Sequence, residues 1–192
     1  MAKRIVDTCQ GSDIFLKVAD EDYLATRLLF MCGSVLHNLS AYHSQQCLEK
    51  YIKAYTIQKA QQYVITHNLD SLRESASNYS DYFSKDEIKK QLAKFNVYDQ
   101  VTRYGSEALN DPFYDKNESR EVSGFWVFGT EHIKILDKLV YEIRGLLDFD
   151  KIKWPDTLKA ILEDKKDHIV IATWKSPIPI KKILTTNNNY YK

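Results

Sequence analysis

Glycine and proline are scarce in this 192-residue chain, six and four residues, and most of them sit at plausible element boundaries. Asn-Gly hairpin signals are missing, so long stretches are left free to be helical. Cysteine is sparse too. Cys9, Cys32 and Cys47 are widely spaced, with no CxxC pair and no Cys/His spacing of the kind that holds a metal. They are expected to be buried, reduced thiols, with no metal and no cofactor. The basic start, "MAKRIVDTCQ", lacks the apolar core of a signal peptide, and no apolar run is long enough to cross a bilayer. A cytoplasmic protein without membrane contact is the expectation. The formal net charge is only +1, so any polyanion site must be local. There is no glycine-rich phosphate loop, no GxSxG and no HExxH. No internal repeat is visible.

What is present is helical periodicity. Apolar residues make up 44% of the chain, enough for a real core. A first helix is expected to start near Asp20 as its cap, with Glu21 and Asp22 complementing the dipole and Leu24, Leu28, Met31 and Val35 on its inner face. Gly33 is a natural stop. In the second helix Ala41, Ser44, Leu48, Ile52 and Tyr55 form the core stripe, with Cys47 and Tyr51 beside it. Tyr42, Gln46, Glu49 and Lys53 form another face, flanked by Gln45 and Lys50.

Thr66 is placed to cap a third helix running to about Tyr79. "SKDE", Ser84 to Glu87, reads as a capping box for a fourth, with Ile88, Leu92, Phe95 and Tyr98 inward. Thr102 to Ser119 reads as a loop. A long fifth helix carries Val122, Trp126, Gly129, Ile133, Leu136, Val140, Ile143 and Leu147 at alternating spacings of three and four. Gly129 there gives a neighbouring helix room to come close. Of the thirteen tyrosines, most of those in the first two-thirds, such as Tyr51, Tyr55 and Tyr82, are expected at the core edge with wet hydroxyls. After Asp150, "WPDTLKAILEDKK" suggests a short helix, "HIVIATW" a strand needing a partner, and "SPIPIKKILTTNNNYYK" an extended, then frayed, end.

"EDYLATRLLF", "AYHSQQCLEKYIKAY", "THNLDSL" and "TRYGS" follow one another in an order that resembles the HEPN family, small helical domains of higher eukaryotes and prokaryotes often described as nucleotide-binding. Gln46, Glu49, Lys50 and Lys53 fall on the family's second motif, Thr66, His67 and Leu69 on its third, and Arg103 and Tyr104 on its last. The resemblance spans about residues 16–149. It implies an antiparallel up-and-down helix bundle, which with the periodicity above makes an all-α domain of about five helices; the C-terminal extension, 150–192, with its short strand, lies outside the resemblance. It also implies a homodimer and a role around nucleotides or RNA. Some members are ribonucleases of toxin–antitoxin or defence systems, some partner a minimal nucleotidyltransferase, and some are non-catalytic.

The ribonuclease members carry an arginine, four to six residues, then a histidine. No arginine and histidine of this chain stand at that spacing. Asn68 and Gly105 also stand where the family usually has Asp and Pro. The reading is therefore a non-catalytic protein that binds a nucleotide or RNA, or partners a nucleotidyltransferase. The alternatives are a divergent metal-independent ribonuclease using His67 and Arg103, and a pure interaction module.

The candidate ligand contacts are Gln46, Lys50, Lys53, His67, Arg103 and Tyr104. Lysine supplies a point charge, glutamine a donor and an acceptor, arginine a phosphate fork and tyrosine a stacking face. Each has a plain structural alternative. Gln46, Lys50 and Lys53 would be a solvated helix face with a weak Glu49–Lys53 pair. His67 would be a helix-start residue bonded to backbone, and Arg103 with Tyr104 a loop clamp.

Overall fold

The computed structural model describes residues 2–5, 8–33, 36–98, 128–149, 157–163, 168–169 and 178–192. The fold is an all-helical bundle, as the periodicity predicts. In chain order the elements are β1 (Lys3–Ile5), α1 (Thr8–Met31), α2 (His37–Ala60), β2 (Gln62–Val64), α3 (Leu69–Ser77), a 3₁₀ turn (Asp81–Ser84), α4 (Asp86–Asn96), α5 (Thr130–Gly145), α6 (Thr157–Glu163), β3 (His168–Ile169), β4 (Ile178–Pro179) and α7 (Ile180–Thr185).

Side-chain contacts fix the helix directions. Ser40 reaches the Thr26 carbonyl, Tyr51 reaches Asp20, and Ser12 reaches the Ala54 carbonyl, so α1 and α2 run antiparallel. Asp20 meets Arg144 and Arg27 meets Asp137, so α1 and α5 are antiparallel as well. α2 lies at the centre and is buried through Tyr51–Ile57 on all sides. Tyr23, Tyr51, Tyr55, Phe83, Phe95 and Phe128 are the large rings of the core. The inward residues expected on α4 (Ile88, Leu92, Phe95, with Tyr98 just beyond) and on α5 (Ile133, Leu136, Val140, Ile143, with Leu147 just beyond) are buried. Val122 and Trp126, like the 102–119 loop, lie outside the described residues.

α1 differs most from expectation. It starts at Thr8, so Asp20 is a mid-helix residue with no capping role. Its buried line is Leu16, Ala19, Tyr23 and Arg27, and Leu24 and Leu28 are only half-buried. Sequence periodicity follows apolar residues, whereas here Asp20 and Arg27 go inside because each finds a partner. Arg27 Nη1 lies 2.6 Å from both oxygens of Asp137, and Tyr23 donates to the same carboxylate at 2.6 Å. Asp20 accepts from Arg144 and, at 2.5 Å, from Tyr51. A buried charge is tolerable only when paired and hydrogen-bonded in this way. The Tyr51 hydroxyl is not wet but ends on buried Asp20; Tyr55 donates to the Tyr79 carbonyl at 3.0 Å and Tyr82 to Glu142 at 3.0 Å, both bonds being partly buried. Gly33 does end the helix region, at φ +97°, where a side chain would be strained.

The caps are also redistributed. Asn68, not Thr66, caps α3, its Oδ1 accepting from the Ser71 N–H at 2.9 Å, while Thr66 accepts from the Asn68 N–H at 3.1 Å. Ser84 closes the 3₁₀ turn, and Lys85 precedes α4 with no side-chain cap. Gly129 is the N-cap of α5, and its N–H donates to the His132 ring nitrogen at 3.2 Å.

Among the described residues there are also two short antiparallel strand pairs. β1 pairs with β2, which the sequence did not signal, and β3 pairs with β4 within the tail. The tail is helical over Ile180–Thr185, and the non-helical residues after it are anchored, not frayed. Arg27 donates to the carbonyls of Ile183, at 2.9 Å, and Thr186. Asn188 is buried, donating at 2.9 Å to the Tyr23 hydroxyl and to the Leu184 carbonyl.

Candidate functional site: a polar seam on the second helix

α2 turns a row of polar side chains toward α1 and the segment that opens α3. The row is not a solvated face: Gln45, Gln46, Glu49 and Lys53 are all buried. A helix so rich in polar groups can sit inside only if those groups satisfy one another.

They do so as one connected network. Asp22 of α1 faces α2, with Oδ2 2.6 Å from Lys50 Nζ and Oδ1 2.8 Å from His43 Nδ1. Lys50 also donates to Gln46 Oε1 at 3.0 Å, and Gln46 donates to Gln45 Oε1 at 2.7 Å. Gln45 donates to the His67 carbonyl at 2.8 Å. Beyond it, Glu49 accepts from Lys53 at 2.7 Å and lies 3.0 Å from His67 Nδ1. The Lys53 ammonium also faces the rings of Tyr63, at 5.4 Å, and Phe15, at 6.0 Å.

Positions 43, 46 and 50 lie three and four apart, so one helix face carries His43, Gln46 and Lys50. Positions 49 and 53 form the next ridge. The carboxylates of Asp22 and Glu49 balance the two lysines, so a new anion must compete with an existing carboxylate for a cation. Exposure separates the members. The His67 side chain is 57% exposed, His43 31% and Lys50 18%, against 7% for Lys53 and 4% for Glu49. The reachable edge is therefore His67, His43 and Lys50, and Gln45, Gln46, Glu49 and Lys53 hold them in place.

Four of the six residues predicted from sequence, Gln46, Lys50, Lys53 and His67, are brought together in this seam. Arg103 and Tyr104 lie outside the described residues. Sequence reasoning missed Asp22 and His43 as members and underrated Gln45. Asp22 reads in sequence as a first-turn dipole residue, which hides it. The spacing of His43 to Gln46 and Lys50 was a usable signal.

Cys47 lies just inside the seam. Its thiol is pushed well up, by burial first and then by the Asp22 and Asp20 carboxylates, so it is kept neutral. Among the described residues no group of His, Cys, Asp or Glu is arranged to hold a metal ion, and no helix is long and apolar enough to cross a membrane.

A helical bundle with a row of self-paired, buried polar groups on its central helix is the class of protein that these features define. The model of the HEPN domain matches residues 12–124, more than half of the chain and all of α1 to α4 beyond the first residues of α1. The chain belongs to the HEPN family. Membership points to a role around nucleotides or RNA. No curated protein and no solved structure matches the chain.

Proposed function

We propose that this protein is a non-catalytic HEPN-family binding protein that engages a nucleotide or RNA phosphate along the α2 seam. The observation that carries the reading is the exposure of the seam's rim: the His67 and His43 rings are the open members and the Lys50–Asp22 pair lies partly exposed beside them, while Glu49 and Lys53 are covered. An arriving phosphate takes Lys50 over from Asp22, and His43 and His67, with Nδ1 held by Asp22 and Glu49, donate Nε2–H from the rim in their imidazolium form. Arg103 and Tyr104 are the further contacts that the family pattern suggests. From the family we also infer a homodimer, and a setting in which the protein pairs with a minimal nucleotidyltransferase in a toxin–antitoxin-like system.

The test is a nucleotide and short-RNA panel by thermal shift and fluorescence anisotropy. A ligand at about 100 times its dissociation constant adds roughly 2.7 kcal/mol to stability. Lys50→Ala and His67→Ala are expected to weaken it. Absence of binding to every nucleotide and RNA would leave the pure interaction module as the better reading. Light scattering checks the dimer.

One geometric feature favours a second reading. Glu49, buried, holds the Nδ1 side of an exposed His67 at 3.0 Å. A carboxylate that orients an imidazole in this way is also how a general base is built. Metal-free cleavage of an RNA pool that disappears in His67→Ala would make the protein a ribonuclease and overturn the non-catalytic assignment.

A further inference from the structure

The 3₁₀ turn, the C-terminal end of α5, α6 and the chain's last residues surround a cleft of about 620 Å³. It shares no residue with the α2 seam. Four aromatic rings from separate stretches line it: Tyr82, Tyr141, Phe149 and Tyr191. Their positions are fixed by neighbours. The Tyr82 hydroxyl is tied to Glu142 at 3.0 Å, and the Arg144 guanidinium lies 5.0 Å over the Phe149 ring. Arg144 is itself held by Asp20. Tyr191 packs edge-on at 6.0 Å against Tyr141, which is half exposed.

One cation is set directly against the rings: the Lys85 ammonium lies at the rim, 5.7 Å over the Tyr82 ring. Glu142 accepts from Tyr82, and Arg144 is paired with Asp20. The volume falls within the roughly 300–1,000 Å³ of small-molecule sites, and apolar walls with a few placed polar groups are their usual make-up. Ring faces reward a flat π-system, and a rim lysine rewards an anion.

We propose that this cleft binds a planar aromatic ring bearing an anionic group, of mononucleotide size, with the ring among the tyrosines and the anion at Lys85. It is a second site, and it does not rest on the reading of the α2 seam.

Isothermal titration of the full chain with AMP, adenosine and inorganic phosphate tests it, on the wild type and on Tyr141→Ala, Lys85→Ala and Lys50→Ala. Tyr141 and Lys85 are exposed, so both variants are expected to melt as the wild type does. AMP is expected to bind. Tyr141→Ala should weaken AMP and adenosine alike, roughly fivefold or more. Lys85→Ala should weaken AMP several-fold and leave adenosine unchanged, and the AMP heat that remains in Lys50→Ala, where the seam is impaired, should still be lost when Tyr141→Ala is added to it. No heat with AMP, binding insensitive to both cleft variants, or phosphate binding as tightly as AMP would each overturn the proposal. AMP binding lost in Lys50→Ala but kept in Tyr141→Ala would overturn it too, while supporting the seam.

Discussion

Asp22 of α1 and Lys50 of α2 meet at 2.6 Å, so under the proposed function this ion pair must open for the seam to receive an anion. Asp22 competes with any phosphate for the same ammonium. Asp22→Asn is therefore expected to tighten nucleotide or RNA binding several-fold at the seam, while costing stability by roughly 1 kcal/mol, since the pair is partly exposed. Anisotropy titrations and urea unfolding of the same variant read the two effects. Weaker binding by a folded Asp22→Asn protein would mean that Lys50 is only a structural clamp.

Arg27 and Asp137 are both almost fully buried, and the tail is tied to the same arginine. Asp137→Ala leaves the guanidinium without its carboxylate and is expected to cost about 3–5 kcal/mol. At about 2–4 °C per kcal/mol for a chain of this size, the melting temperature should fall by roughly 6–20 °C. Asp137→Asn keeps an acceptor for Arg27 and Tyr23 and should cost less. Equal losses for the two variants would show that the charge, not the hydrogen bonds, matters.

Alkaline pH should act through the buried tyrosines. Burial, with Asp137 beside one and Asp20 beside the other, raises the Tyr23 and Tyr51 hydroxyls well above their ordinary value. A folded-state value above the unfolded one favours folding fully below about pH 10, and that contribution is lost as pH rises beyond it. Stability from denaturant melts should decline above about pH 10, more steeply in wild type than in Tyr51→Phe. Parallel curves for the two proteins would exclude Tyr51 as a source of the slope.

The helix caps give a direct test of local structure. Asn68→Ala removes the acceptor of the Ser71 N–H and should cost about 1 kcal/mol. Ser84→Ala should stay within about 0.5 kcal/mol, because α4 has no side-chain cap. Chemical denaturation of the two variants should rank them in that order. The reverse order would restore Ser84 as the cap.

Sequence by itself determined the helical class, the inner faces of α2, α4 and α5, the stop at Gly33 and the family. These follow from periodicity, from the scarcity of breakers and from the order of short motifs, all of which are local. It also drew Gln46, Lys50, Lys53 and His67 together as candidates. What it could not decide was which polar residues go inside. Asp20 and Asp22 read as cap and first-turn residues on α1, and nothing local marks Arg27 as buried, because the cost of burying a charge depends on partners far along the chain: Tyr51 and Arg144, Lys50, and Asp137. The same holds for the tail. Asn188 looks like part of a polar, frayed end until the Tyr23 hydroxyl is placed 2.9 Å from its amide. Pairing over such distances is a property of the assembled bundle, and only the tertiary structure turns a polar helix face into a buried seam.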